Sequence, residues 1–255
     1  MLSKDLNTEL RKLCVLHGIT PAVLFHAAYG LVVARCSNKD YAVFGSLFSG
    51  RLQGSLGAAD SLGLFINTLP LLLDLKGDVV EYVNQVKGLL QDLLSYEQTP
   101  LSHIQDWSGI GNDKAFFSAL LNYRHSALAV AEQDETVEFD SGITILGGQE
   151  RTNYPFTLNV DDLGDGFELT AQIDGSIGAT RILGYMENAL TKLLEGLSKE
   201  GVSISTLNVL SKEESCQLLD VFNNTLAIYP KDKTLVDLFE EQVKNTPDAI
   251  AVVYE

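Results

Sequence analysis

The sequence is short of cations, of cysteine and of long apolar runs, and each shortage closes off a class of function. Lysine and arginine number 18 against 34 aspartates and glutamates, a net charge of −16 at neutral pH. Nucleic acid binding rests on Lys and Arg contacts to phosphate, so that balance argues against nucleic acid, and equally against an anionic membrane surface. The three cysteines, Cys14, Cys36 and Cys216, are odd in number and far apart. They form neither a disulfide framework nor a zinc-ligand pair, and a reduced, cytoplasmic setting is expected. No apolar run approaches the roughly 20 residues of a membrane helix, and the opening Met1-Leu2-Ser3-Lys4-Asp5 lacks the pattern of a secretory signal. Phosphate-binding and dinucleotide-binding glycine loops and the Gly-x-Ser-x-Gly elbow are all missing. The acidic stretch from Asp161 to Glu168 fails as a calcium loop. Thr170 stands where the bidentate glutamate of a loop beginning at Asn159 belongs, so a solvated hairpin turn is expected there. The four histidines, His17, His26, His103 and His125, are scattered singly. His17 reads as a surface charge at a helix end and His26 as a satisfied core residue. No catalytic residue and no metal site is assigned from the residues alone.

What is present is an ordinary globular composition, 45% apolar and 20% charged. Leu6, Leu10, Leu13 and Cys14 recur at helical spacing between Ser3 and Gly18. Thr20-Pro21 then opens a segment, Ala22 to Ala34, that is apolar nearly all round and so predicts a buried helix. Tyr41 to Phe48 has the length and character of a strand, a glycine-rich loop follows from Ser49 to Asp60, and Phe65 to Leu75 is a second apolar strand. With almost nothing polar after Thr68, that strand is expected to be covered on both faces. Val79, Val83, Val86, Leu90 and Leu93 mark an amphipathic helix begun at Asp78, and Phe116 to Tyr123 a third strand. Two period-two segments flank Asp161–Gly166 as a hairpin, with Phe167, Leu169, Ala171 and Ile173 on one face. Ile182, Met186, Leu190, Leu193 and Leu197 give a last large helix. Strands and packed helices together predict an α/β layered fold.

The tail differs. Ser211-Lys212-Glu213-Glu214 reads as a capping box opening a short helix, Leu235, Leu238, Phe239 and Val243 as another helix, and Ala249 to Tyr254 as a strand. A lone terminal strand leaves an unpaired edge, which leads to the expectation that the chain is a fragment.

Several stretches resemble condensation domains of nonribosomal peptide synthetases. Gly63-Leu64-Phe65-Ile66-Asn67-Thr68 is similar to that family's Gly-x-Phe-x-Asn-Thr motif, and follows Phe44-Gly45 and Gly50-Arg51 at the family's spacing. Tyr96-Glu97-Gln98-Thr99-Pro100-Leu101 is similar to its His-Gln-Asp-x-Pro-Phe motif with Tyr-Glu and Thr departing, and Phe117 to Arg124 matches the strand that follows. Leu235 to Glu255 is similar to the opening of an adenylation domain. The resemblance divides the chain into a C-terminal condensation lobe at 1–205, a linker at 206–232 and the start of an adenylation (AMP-binding) domain at 233–255.

The fold so implied is α/β: a chloramphenicol acetyltransferase-like lobe with a mixed sheet and packed helices, plus a truncated adenylation piece. The activity implied is amide-bond formation between carrier-bound aminoacyl or peptidyl thioesters. Arg51-Leu52-Gln53-Gly54, Leu121 to Ser126 and Thr152 to Asp162 look most like the dual epimerisation/condensation class, which also inverts the donor's α-carbon. The family's His-His-x-x-x-Asp-Gly motif, carried on the other lobe, has no counterpart here, so the chain alone is expected to be inactive. Arg51 is expected to support the active site by pairing with the motif's aspartate, a role suited to a planar, bidentate cation. Asn67 is assigned to structural support at the strand opening, and Asn153 and Tyr154 are candidates for the tunnel lining. No cofactor is expected to bind directly; phosphopantetheine arms arrive on carrier proteins. The implied partners are the missing N-terminal lobe, the carrier proteins and the rest of the adenylation domain. Two other readings stay open: a coenzyme A-dependent acyltransferase of the same fold, and a non-catalytic remnant that binds carriers.

Overall fold

The computed structural model describes residues 1–51, 62–111, 115–125 and 151–254. The chain divides into two compact units, residues 1–211 and 212–255.

In the first unit, α1 (Lys4–His17) starts where Ser3 Oγ accepts the Leu6 N–H at 3.3 Å and stops at Gly18, which takes a left-handed φ of 60°. Ending a helix this way favours a residue without a β-carbon. Thr20-Pro21 then begins α2 (Pro21–Ser37), in which nearly every side chain from Val23 to Ala34 is buried. A helix with no polar face has to be enclosed, and here it lies over β1 (Tyr41–Phe48) and β3 (Ala119–His125) with α1, α3 (Val79–Leu94) and α5 (Ala179–Leu197) around it. The ring of Tyr29 meets Phe44 edge-on at 4.9 Å, and its hydroxyl donates to Leu120 O at 3.1 Å. α3 is opened by a full capping box, Asp78 Oδ1 accepting from Glu81 N and Glu81 Oε2 from Asp78 N.

The sheet has the order β2-β1-β3-β4-β5, with β2 at Asn67–Asp74, β4 at Phe156–Asp162 and β5 at Phe167–Ile173. β1 runs antiparallel to β2 and parallel to β3, β3 runs parallel to β4, and β4 and β5 form the expected antiparallel hairpin. Mixed pairing in one sheet follows from this connectivity: parallel neighbours are reached by long crossovers, antiparallel ones directly.

Four expectations are corrected. The second apolar strand is not central. β2 is a sheet edge in which Leu69, Leu71 and Leu73 are buried while Leu72 is 56% exposed. Pro70, which lacks an N–H, marked this position, because proline is tolerated at edges. The third strand starts at Ala119 rather than Phe116; Phe117 is taken up in a stack on Tyr154 at 5.4 Å. The first unit runs past the expected boundary at 205 to Ser211, because Leu207 and Val209 are buried in its core and Arg35 holds the 204–207 backbone with three donated hydrogen bonds. In the second unit, α6 (Lys212–Cys216) follows Ser211 and α7 (Leu235–Asn245) carries a Thr234/Asp237 capping box, but residues 249–254 form no strand. A strand needs a ladder partner, and no described residue supplies one. The sequence did not announce the helix α4 (Leu101–Ser108). Among the described residues no single helix is long and apolar enough to cross a membrane.

α2 comes close to β2 and α3 at Gly30. A β-carbon there would fall 2.6 Å from Leu73 Cδ1 and 2.7 Å from the Tyr82 hydroxyl, and that hydroxyl already donates to Ala27 O. Gly30→Ala should therefore destabilise the first unit by about 1–3 kcal/mol through overpacking, despite alanine's better helix propensity. Urea denaturation should show a lower midpoint with an unchanged slope; a higher midpoint would mean the neighbours yield at no cost.

Candidate functional site

A cleft of about 920 Å³ opens at the N-terminal end of α2. It is bounded by α3 and by the carboxyl-terminal halves of the parallel strands β1 and β3. Its walls are mostly aliphatic and aromatic: Ile19, Val23, Leu47, Phe48, Ile66, Leu90, Leu94 and Tyr123. Ligands in open α/β sheets sit outside the carboxyl ends of strands, which is where this cleft lies; polar side chains, among them Thr20, Ser49, Lys87, Gln91 and Asn122, interrupt its apolar walls.

Its floor carries His26 and Ser46, both buried. His26 Nδ1 is 2.7 Å from Ala22 O and Nε2 is 2.7 Å from Ser46 Oγ. A carbonyl only accepts, so the hydrogen is assigned to Nδ1 and the Ser46 hydroxyl donates to Nε2. Burial drives the imidazole pKa down from 6.5 to about 4, against the opposing pull of the Ala22 carbonyl. The ring is therefore neutral near pH 7, and the core reading of His26 describes what it does: it ties the first turns of α2 to the middle of β1. His17 is placed differently from expectation. It is half-buried, and its Nε2 is enclosed with no hydrogen-bond partner among the described residues.

Beside the cleft, Asp162 is buried rather than solvated. Its carboxylate receives Arg11 Nη2 at 2.7 Å, the Tyr123 hydroxyl at 2.8 Å and Gly164 N at 3.1 Å, with His125 Nδ1 3.4 Å away. Burial alone would raise its pKa, but the hydrogen bonds from Arg11, Gly164 and Tyr123 outweigh it and hold the carboxyl below the usual range. The expectation of a fully solvated turn missed this because Arg11 lies some 150 positions away in sequence. The same contact pushes the Tyr123 hydroxyl upward, burial first and Asp162 second. In the adjoining register pair, Arg124 grips Asp161 bidentately at 2.7 and 2.9 Å.

The residues singled out from the sequence fall in two places. Arg51 directly follows the β1 end of the cleft; its Nη2 donates to Gly63 O at 3.3 Å and its guanidinium lies 4.9 Å over the Phe65 ring. Asn67 opens β2, its Nδ2 donating to Glu97 O at 3.0 Å and Thr99 O at 2.7 Å while its Oδ1 accepts from Thr68 N. The Gln98 side chain donates to Gly50 O. Residues 49–51, 63–68 and 96–101, separate motifs in the sequence, thus meet at one joint. Most of the loop between Arg51 and Gly63 lies outside the described residues. Asn153 and Tyr154 precede β4 and are not among the residues that line the cleft; Tyr154 stacks on Phe117, and burial raises its hydroxyl pKa. His26 and Ser46 are the cleft residues that sequence reasoning did not bring together. A histidine on an apolar helix was the one available signal, and its partner is 20 positions away on a strand. Among the described residues, no three His, Cys, Asp or Glu side chains are grouped to hold a metal.

A condensation-domain family model matches residues 1–219. Malpinin synthetase of Mortierella alpina is 41% identical over 256 residues, an alignment covering 100% of this chain and 3% of that protein. Bacitracin synthase 3 of Bacillus licheniformis is 29% identical over 255 residues, covering 99% of the chain and 4% of that protein. The chain thus spans 3–4% of the length of these two relatives. Among solved structures, a four-domain nonribosomal peptide synthetase bound to AMP and glycine superposes with a TM-score of 0.73 at 14% identity, over 97% of this chain and 20% of that one. The condensation domain of the monacolin K polyketide synthase gives 0.62 at 17% identity, over 80% and 47%. At such identities the structural likeness concerns the fold.

The buried imidazole predicts an acid-labile first unit. Its folded pKa of about 4 lies below the ordinary 6.5, so between those values the unfolded chain binds the extra proton. The contribution is complete above pH 6.5 and is lost as pH falls towards 4, up to about 3 kcal/mol. Denaturation at pH 7, 5.5 and 4.5 should show a steeper loss in the parent than in His26→Gln; parallel slopes would show that His26 titrates normally.

Proposed function

The chain belongs to the condensation-domain family, and from that premise we propose that it forms the C-terminal lobe of a domain joining two carrier-bound substrates through an amide bond. The observation that carries the proposal is the family match over residues 1–219 coinciding with an apolar cleft that ends at Ser49, two residues before Arg51. In this reading the α-amine of the acceptor attacks the donor thioester carbonyl. The carbon–nitrogen bond forms, the carbon–sulfur bond breaks, the thiolate stays on the donor's phosphopantetheine arm, and the amine's proton is passed to it. The arms are delivered by carrier proteins; this chain's part is to wall the path, exclude water and hold the active-site loop. The sequence contains no adjacent pair of histidines, so a base or positioning group comes from the N-terminal lobe. Arg51 is the positioning residue for that lobe's Asp-Gly turn, and Asn67 fixes the joint from which Arg51 projects. Asn153 and Tyr154 extend the wall beyond the cleft.

Three finer readings belong to the same proposal. The motifs at 51–54, 121–126 and 152–162 point to a domain that epimerises the donor before condensation. Residues 233–255, with the capped helix α7, open an adenylation domain. The remaining partners are the carriers and the rest of that adenylation domain.

The test is a condensation assay with purified aminoacyl and peptidyl carrier proteins, followed by mass spectrometry and chiral analysis of the product. The 255-residue chain alone should give no amide above the uncatalysed rate, since a placed acid–base group contributes about 10²- to 10⁴-fold. Co-expression with an N-terminal lobe should give product with an inverted donor centre. Amide formation by the lone chain, or turnover only with coenzyme A thioesters, would overturn the reading.

In the complete domain, Arg51→Ala should cost about 3–5 kcal/mol by leaving the motif aspartate as an uncompensated charge, and Arg51→Lys should restore only part of it. A double-mutant cycle with the motif Asp→Asn, scored by unfolding and by condensation rate, checks this. Effects that add within about 0.5 kcal/mol would remove Arg51 from the site.

A further inference from the structure

The cleft's lining has a property that the chain as a whole does not share. The protein carries 34 carboxylates against 18 cations, yet no Asp or Glu is among the described residues that line the cleft. Its basic side chains each have a partner. Lys87 Nζ donates to Gly18 O at 2.9 Å, Arg124 is clasped by Asp161, and His125 faces Asp162. The deepest polar groups satisfy each other, the Ser46 hydroxyl donating to His26 Nε2, whose ring is anchored on Ala22 O. The floor, formed by Val23, His26, Ser46 and Phe48, is buried, whereas Ile66 at the mouth is 57% exposed.

Resting on the reading of this cleft as part of the condensation site, we propose that it is a side-chain subsite selecting aminoacyl groups with an uncharged, apolar side chain. A cationic side chain entering it would leave water, find no carboxylate, and meet Lys87, whose charge the neutral Gly18 carbonyl does not compensate, as a like charge. An anionic one is favoured over a cation by Lys87, but on reaching the floor it would face a hydroxyl and imidazole already engaged with each other. An unpaired buried charge is costly, while each methylene taken from water is favourable by about 0.8 kcal/mol. The cleft volume of about 920 Å³ lies within the range of small-ligand sites and accepts a large aliphatic or aromatic side chain together with the reacting carbonyl.

The probes are amide analogues of aminoacyl-pantetheine, in which N–H replaces the thioester sulfur so that no transfer occurs. They carry leucine, phenylalanine, lysine or glutamate and are titrated into the full chain by calorimetry and by chemical-shift changes. The leucine and phenylalanine amides should bind, with the lysine and glutamate amides weaker by about tenfold or more. Ile66→Trp, which narrows the mouth at an exposed position, should weaken the apolar amides; Leu72→Ala, on the exposed face of the edge strand, should leave them unchanged. Gln91→Glu, which places a carboxylate in the lining, should shift preference towards lysine. Equal binding of leucine and lysine, indifference to Ile66→Trp, or no binding of any amide would overturn the subsite. Condensation in the full domain without that discrimination would sink the subsite alone. Discrimination without condensation would sink the proposed function instead.

Discussion

A helix with no polar face cannot lie at a surface, and most of the first unit follows from satisfying that constraint for α2. Its buried residues run from Val23 to Ala34 without a solvent-facing stripe. Enclosing them takes β1 and β3 beneath and α1, α3 and α5 around. The enclosure reaches contact at Gly30, where only a hydrogen separates α2 from Leu73 and Tyr82. Because the helix backbone satisfies itself, the few polar groups on α2 need specific partners. His26 finds Ser46, and Tyr29 finds the Leu120 carbonyl. The first turn of α2 stands beyond this enclosure, and the cleft opens there.

Two polar joints fix the rim around that opening. One gathers Gly50, Gly63, Asn67 and the 97–99 backbone through side-chain amides and the Arg51 guanidinium. The other gathers Arg11, Tyr123 and Gly164 on Asp162. Both are built from charge-assisted or amide hydrogen bonds in partly buried positions, where geometry counts for more than net energy. Together they tie the end of β1, the start of β2 and the end of β3 into one frame. At the rim the carboxylates of Asp161 and Asp162 are engaged with Arg124 and Arg11, and among the described lining residues none is turned inward.

Local rules were legible where the interaction is local. The Ser3 cap, the Gly18 stop, the Thr20-Pro21 start, the helix start at Asp78 and the β4–β5 hairpin depend on residues within a few positions of one another, and the sequence showed each. Edge or centre was not legible for β2, because an apolar run looks alike in both; only Pro70 hinted at it. The strand expected at 249–254 had the right residues and no partner among the described residues, and strand formation is a property of a pair. Asp162 looked like a turn residue because its cation sits far off on α1. Asn67, read as serving backbone groups near its strand, is found on Glu97 and Thr99, contacts whose type the sequence suggested and whose identity it did not.

The sequence by itself therefore determined the kind of fold, the family and the starts of α1, α2 and α3, since these rest on periodicity, capping and motif order along the chain. The tertiary structure alone decided the strand order, the joint of three motifs at Asn67 and the pairing of His26 with Ser46. It also decided that the described lining of the cleft would be free of carboxylates. The pairings among these join residues well separated in sequence, His26 to Ser46 across 20 positions and Asn67 to Glu97 across 30, and no spacing rule along the chain encodes that approach.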